Sequence, residues 1–302
     1  MYARKDPVRT AEEEVLTMNK NVYIIQYGTG ANINLYPLAA GQLYSMFKAD
    51  EELMSYYSLQ EIIFRREDPR EVVAKMEDAS VVGIALFLWN LKHSLITIRE
   101  IRKKFPKCLI IVGGPAAPKD MDWLPSFFEQ YPEVDVICQG EGEEVFVDLC
   151  RCRMIGKNYH DTKGIVFQKD REIVITEQYP EIDMKTVPSP YIDGTFDEIY
   201  EKYNDEFSGV IWETNRGCPY QCTYCTWGSA PYRKIREKAD DVIAKEIEWF
   251  GTHKINYIAM SDSNFGIRQH DVELARLLTA AKQKYGFPNF ISVSWVKNAS
   301  DR

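Results

Sequence analysis

From residue 22 to about 155 the chain alternates short apolar runs with stretches of helical period. The runs Val22–Tyr27, Leu59–Phe64, Val81–Leu88, Leu109–Val112 and Val134–Cys138 are rich in Val and Ile and almost unbroken in apolar character. Strands covered on both faces have that texture. Glu71–Glu77, His93–Lys104 and Asp122–Gln130 lie between them with helical spacing. Strand–helix alternation with short connections predicts right-handed crossovers and a doubly wound, five-stranded parallel sheet, an α/β fold that binds ligands at the carboxyl ends of its strands. Residues 164–177 then alternate on either side of Lys169-Asp170-Arg171 and predict a hairpin. Tyr179–Gly194 holds three prolines with little periodicity and reads as a linker. A second βαβαβ pattern follows: helix Phe196–Tyr203, strand Val210–Thr214, helix Ala239–Phe250, strand Tyr257–Met260, helix Val272–Tyr285 and strand Phe290–Val296. The predicted organisation is an extension (1–20), a first domain (21–158), hairpin and linker (159–194) and a second domain (195–302).

The predicted strand ends carry distinctive loops. Gly28-Thr-Gly-Ala-Asn-Ile-Asn34 follows the first strand, Trp89-Asn90 the third, Gly113-Gly114-Pro115 the fourth and Gly140-Glu141-Gly142-Glu143 the fifth. Glycine and proline punctuate ordinary turns, but four such loops on one sheet edge point to a crevice that backbone lines closely. Ile33 stands where a dinucleotide fingerprint needs its third glycine, and no Gly-Lys-Ser/Thr follows a glycine loop. Nicotinamide, flavin and P-loop nucleotide sites are thereby disfavoured.

Composition narrows the classes. A net charge of −8 without a basic cluster argues against a nucleic-acid partner. No apolar run reaches the ~18 residues of a membrane helix, and the charged first 20 residues lack a secretory core, so a cytoplasmic chain is expected. Three of seven cysteines crowd into one loop, Cys218, Cys222 and Cys225. Zinc usually takes four ligands and no fourth Cys or His lies nearby, whereas a 4Fe–4S cluster can be held by three thiolates with one iron left open. Iron–sulfur is favoured over zinc, and both over incidental thiols. Cys108, Cys138, Cys150 and Cys152 read as ordinary free cysteines, and Glu143 and Glu144 as the start of a helix.

Arg216-Gly-Cys-Pro-Tyr-Gln-Cys-Thr-Tyr-Cys225 resembles the cluster loop of the radical S-adenosylmethionine (SAM) superfamily, at the end of the first strand of its partial (β/α) TIM barrel. Val82–Asn90, Ile111–Pro115 and Val136–Glu143 resemble, in order, the Rossmann-like cobalamin-binding domain of the subgroup that joins the two. The resemblance covers about residues 20–302. It implies that Cys218, Cys222 and Cys225 hold a 4Fe–4S cluster whose fourth iron SAM chelates, and that reduction produces a 5′-deoxyadenosyl radical. By the same resemblance Tyr224 lies near the adenine, and Asp262, Asn264 and Phe265 line the SAM pocket, although Ser261–Phe265 also suits a helix N-cap. Gly28, Trp89, Asn90, Gly113, Gly114, Pro115, Gly140, Glu141 and Gly142 would meet cobalamin. Lys297 and Asn298 follow the third barrel strand and face the same mouth.

No histidine has the Asp-x-His-x-x-Gly context of a lower axial cobalt ligand, and His93 is a candidate by position alone. The resemblance implies methyl transfer to an unactivated carbon, with radical rearrangement or oxidative cyclisation as the alternative chemistry. An external flavodoxin- or ferredoxin-like electron donor is implied, and the substrate (small molecule, lipid or peptide) is not. A full barrel of about six βα units at roughly 30 residues each needs more chain than follows Cys225. The expectation is therefore a truncated barrel, with an exposed edge strand that promotes association, and a cofactor-binding fragment needing a complementing C-terminal segment is a further alternative.

Overall fold

The computed structural model describes residues 20–30, 34–225 and 234–297. The predicted extension lies outside these residues except for Lys20, as does Asn298. The first sheet has seven strands in the order β2-β1-β3-β4-β5-β6-β7: Asn21–Ile25 (β1), Ser58–Leu59 (β2), Ala79–Ala85 (β3), Leu109–Gly113 (β4), Val136–Cys138 (β5), Ile165–Lys169 (β6) and Glu172–Ile175 (β7). Strands β1 to β5 are parallel. The apolar runs look continuous because successive side chains enter different layers. Val81 joins Val22, Ile24 and Ile111 in one core, while Val82 and Ile84 join Ile25, Ile110 and Val112 in the other. Helices Leu91–Lys104 and Leu124–Gln130 cover the second face, and helices Leu38–Lys48 and Glu143–Met154 the first. The order reverses between β1 and β3, the switch point where doubly wound sheets bind ligands.

Two expectations are adjusted. The hairpin assigned to the region after the sheet extends the sheet itself, with β6 antiparallel to β5 through Ile137↔Val166 and Cys138↔Ile165. Ile165, Val166 and Phe167 are buried there and cover an edge that three-residue β5 would otherwise leave open. The expected strand Leu59–Phe64 forms a ladder only at Ser58–Leu59, then follows β1 through isolated bonds such as Ile63 N–H to the Ile24 carbonyl (3.0 Å).

The second sheet is parallel, ordered β12-β11-β8: Val210–Trp212 (β8), Tyr257–Met260 (β11) and Phe290–Ser292 (β12). Helices Asp240–Thr252 and Gln269–Tyr285 make the crossovers. A two-residue antiparallel clasp, Asn215–Arg216 (β9) with Arg236–Glu237 (β10), closes the base of the cysteine loop. The Pro-rich stretch before this unit is firmly packed. Tyr191 is fully buried, and Ser189 Oγ donates to Glu246 (2.6 Å). Tyr36 packs edge-on against Phe196 and Trp249 and tilted against Phe207 (centroids 5.3, 6.2 and 4.3 Å), so one core runs from the first sheet into the second unit. Among the described residues no helix is long and apolar enough to cross a membrane.

Candidate functional site

At the switch point a cleft of about 560 Å³ opens, within the size range of small-molecule and cofactor sites. The ends of β1 and β3 supply Gln26, Tyr27, Gly28 and Trp89, the chain after β1 supplies Asn34, Leu35 and Pro37, and Phe64 closes one side. Ile211 of β8 closes another. The cleft therefore spans both units, which a bridge between Leu35 and Gly209 ties together. A Cβ at Gly28 would stand 2.2 Å from Asn34 Oδ1, the far end of a side chain that would have to turn aside.

Of the residues nominated for cobalamin, Gly28 and Trp89 line this cleft. Trp89 is half exposed and stacks on Phe87 (4.6 Å, 16°), presenting an aromatic face. Gly113 ends β4, Gly114 and Pro115 follow it, and Gly140, Glu141 and Gly142 follow β5 on the same sheet edge, all outside the cleft lining. Gly114 adopts φ +94°, with the Leu86 carbonyl where a Cβ would go, so this turn accepts only glycine without strain. Asn90 faces the protein instead of the cleft. Fully buried, it donates from Nδ2 to the carbonyls of Tyr27 and Ala85 (both 3.1 Å) and accepts from Phe87 N–H at Oδ1 (2.8 Å). Its side chain stitches the ends of β1 and β3 and has no reach left for a corrin. His93 packs edge-on against Tyr27 (4.5 Å, 87°), off the lining. Burial and nearby Arg66 lower its pKa, and its Nε2 has no partner. Tyr27, Phe64 and Asn34 were legible as strand-end and loop residues, whereas nothing in the sequence pointed to Ile211.

The cysteine loop starts where β9 ends. Gly217 there has φ +111°, and a Cβ would meet the Lys234 carbonyl at 2.3 Å. Cys218 is buried and its Sγ accepts from Asn264 Nδ2 (3.1 Å). Cys222 Sγ accepts from Lys297 Nζ (3.0 Å), and this hydrogen bond lowers the thiol's pKa. The donor chemistry thus fits a group bound by thiolates. Among the described residues no three His, Cys, Asp or Glu side chains gather around one ion position. A zinc ion needs its sulfurs converged at about 2.3 Å. Each thiolate of a cubane binds its own iron, so the cysteines remain apart. By contrast, Cys108 and Cys138 are buried and their thiols are pushed up to about 12 by desolvation, as inert cysteines are.

Three nominated SAM residues follow β11, beside the loop. Asp262 is buried and ties the ends of β8 and β11 together. It accepts from Thr214 N–H (2.8 Å), Asn215 N–H (3.3 Å), Asn215 Nδ2 (2.8 Å) and Thr214 Oγ1. Desolvation raises its pKa to about 6 despite those donors. Asn264 is buried, with Oδ1 unpartnered. Phe265 packs against Trp295 (5.6 Å). Neither Asp262 nor Asn264 caps a helix, because the next one starts at Gln269 with Asp271 serving its first turn. Tyr224 is 82% exposed, with Lys297 Nζ 5.7 Å from its ring centre.

Sequence reasoning overlooked the charges beneath this loop. Arg216 pairs with Glu141 (3.0 Å), Glu143 (2.5 Å) and Glu213 (2.9 Å), and Arg236 pairs with Glu141 (2.9 Å). Burial opposes the Arg216 charge, but Glu143 and Glu213 outweigh it and raise its pKa. Burial likewise works against ionised Glu141, yet Arg236 and Arg216 hold its carboxyl below the usual value. Lys238 and Glu246 form a second pair (2.7 Å), with both side chains almost completely buried.

No protein-family model matches the chain. It is 31% identical over 296 residues to the cobalamin-dependent radical SAM methyltransferase TokK of Streptomyces tokunonensis, covering 96% of this chain and 42% of that protein. It is 33% identical over 281 residues to a 2-(S-pantetheinyl)-carbapenam-3-carboxylate methyltransferase of Streptantibioticus cattleyicolor, covering 91% and 41% respectively. The chain thus spans about two fifths of the length of these relatives. Its fold matches the cobalamin-dependent S-adenosylmethionine radical enzyme OxsB, solved with aqua-cobalamin and S-adenosylmethionine bound, at a TM-score of 0.66 and 18% identity over 92% of this chain and 39% of that one. A doubly wound sheet with a cleft at its switch point, a cysteine loop on the first strand of a parallel second sheet, and this similarity agree: over nearly all of its length the chain is similar to cobalamin-dependent radical SAM enzymes.

Proposed function

We propose that the chain is the cofactor-binding part of a cobalamin-dependent radical SAM enzyme that transfers a methyl group to an unactivated carbon. The observation that carries this reading is the cleft shared by Trp89 and Gly28 of the first sheet and Ile211 of β8, the strand that leads into the cysteine loop. A corrin seated there would stand between the two units. When bound, the cluster supplies the electron that cleaves SAM and the corrin carries the methyl group. The chain's own residues position these groups. Cys218, Cys222 and Cys225 would ligate the irons, and Asn264 would donate to the Cys218 sulfur, a contact of the kind that tunes cluster potential. Asn264 Oδ1, Phe265 and Tyr224 would border SAM. Gly28, Trp89 and the backbone of 113–115 and 140–142 would border the corrin, with Asn90 acting from behind by holding the loop. A low-potential flavodoxin- or ferredoxin-type donor would supply the electron.

Anaerobic reconstitution with iron, sulfide and hydroxocobalamin tests the reading. The expected outcome is one 4Fe–4S cluster by EPR, one retained corrin by absorption, and dithionite-dependent formation of 5′-deoxyadenosine from SAM. Tight zinc without iron, or a chain that retains no corrin, overturns it.

A further inference from the structure

The two cofactor loops are joined by charge. Arg216 stands two residues before Cys218, on β9, and Arg236 is its partner in the β9–β10 register. Both guanidinium groups converge on one carboxylate of the first unit. Arg236 grips both oxygens of Glu141 (2.9 and 3.0 Å) and Arg216 takes Oε1 (3.0 Å). Glu141 belongs to the glycine-flanked loop after β5. Arg216 also reaches Glu143, in the first turn of the following helix, and Glu213, which Gln42 of helix Leu38–Lys48 anchors from the same unit (2.9 Å). The five charged side chains are only 7–15% exposed.

This arrangement exceeds what holding two domains together requires. Shared apolar packing around Tyr36 already does that. A bidentate guanidinium–carboxylate pair adds direction, because its planar fork tolerates little rotation or sliding. Both strands of the clasp that begins and ends the cysteine loop are gripped, and the grip is to the β5 loop.

We propose that Glu141, Arg216 and Arg236 form a clamp that sets the distance between the cluster loop and the corrin-side loop after β5, making them positioning residues for the two cofactors. The inference rests on the functional reading above only for the identity of what is positioned.

Pulsed EPR on the reconstituted 302-residue chain, reduced to hold a paramagnetic cluster and cob(II)alamin, reads that distance directly. The wild type should give a single narrow distribution. Glu141→Gln and Arg216→Lys should shift and broaden it while iron and corrin contents persist. Arg102→Gln, which breaks the Arg102–Asp135 pair inside the first unit (2.6 Å), should lower thermal stability and leave the distance unchanged. An unchanged distribution in Glu141→Gln, or an equal change in Arg102→Gln, overturns the clamp. Hydrogen exchange across residues 213–222 gives a reading that needs no cofactor: faster exchange in Glu141→Gln than in Arg102→Gln supports the clamp, and equal rates overturn it. A wild type that binds neither cofactor sinks the functional proposal alone, since the exchange comparison still decides the clamp.

Discussion

The carboxyl ends of the two sheets are fastened by different means. At the β1–β3 switch point of the first, neutral amides do the work. Asn90 ties β1 to β3, and Gln26 Oε1 accepts from Ala40 N–H (2.9 Å) at the start of the next helix. In the second, buried charge does it: Asp262 joins β8 to β11, Lys238–Glu246 braces β10 against helix Asp240–Thr252, and Arg216 holds the loop from below. Neutral stitching leaves the cleft wall apolar and indifferent to pH. Charge stitching is strong only while every partner is present, because an ion orphaned in a low-dielectric interior is far costlier than a lost amide bond. The edge that carries Trp89 should therefore tolerate change better than the edge that carries the cysteine loop.

The sharpest break in that comparison is chemical. Cys218→Ala should abolish cluster assembly, read as loss of the 4Fe–4S absorption and EPR signals, while corrin retention by the first unit persists; loss of both would mean the edges are not separable. Next comes Lys238→Met, which leaves Glu246 buried and unpaired and should destabilise the fold by about 3–5 kcal/mol in denaturant titration. Pairing it with Glu246→Met should recover much of that loss, and failure to do so would show that Ser189 and Trp212, the other partners of Glu246, matter more than the charge pair.

The pH behaviour of the second edge follows from Asp262. Its folded pKa, about 6, lies above the ordinary 3.8, so the folded chain holds this proton more tightly than the unfolded one. The stabilisation is complete below about pH 4 and is lost as pH rises through 6, a change of about 3 kcal/mol in all. Thermal unfolding of Asp262→Asn should be flatter between pH 4 and 7 than that of the wild type, and parallel curves would remove Asp262 as the cause. The smallest effect is expected at the neutral edge. Asn90→Ala gives up three hydrogen bonds at about 1 kcal/mol each, roughly 2–3 kcal/mol after relaxation. It should also weaken corrin retention, because the Trp89 loop loses its tether.

The exposed rim of the second sheet offers a separate check on the edge-strand expectation. Phe290, Ile291 and Trp295 on and beside β12 are 64%, 38% and 70% exposed. The chain should self-associate with rising concentration in light scattering, and Phe290→Lys should reduce it.

Much of this was legible in the sequence, for identifiable reasons. Strands β1, β3 and β4 showed as apolar runs because covering both faces leaves no polar alternation to blur them. The cysteine spacing declared a thiolate site because three ligands within one loop need no tertiary information to be brought together. Less legible were positions whose role depends on a distant partner. Asn90 looked like a ligand-facing residue because it follows a strand end, yet its amide turns inward to unpaired backbone groups. Glu141 looked like part of a corrin turn, but its carboxylate meets arginines 75 and 95 residues away. The hairpin Ile165–Ile175 was visible as a hairpin, and only the open edge of β5 decided that it would join the sheet.

By itself, then, the sequence determined the two α/β units, their order, the thiolate loop and the glycine-bearing strand ends, because each is encoded by local period or by spacing within a few residues. The tertiary structure alone decided that the two units share one core, that Ile211 closes a cleft begun by Tyr27 and Trp89, and that Arg216 beside the cluster loop is held by Glu141 beside the other. Those facts depend on long-range contact between side chains whose partners no local pattern names.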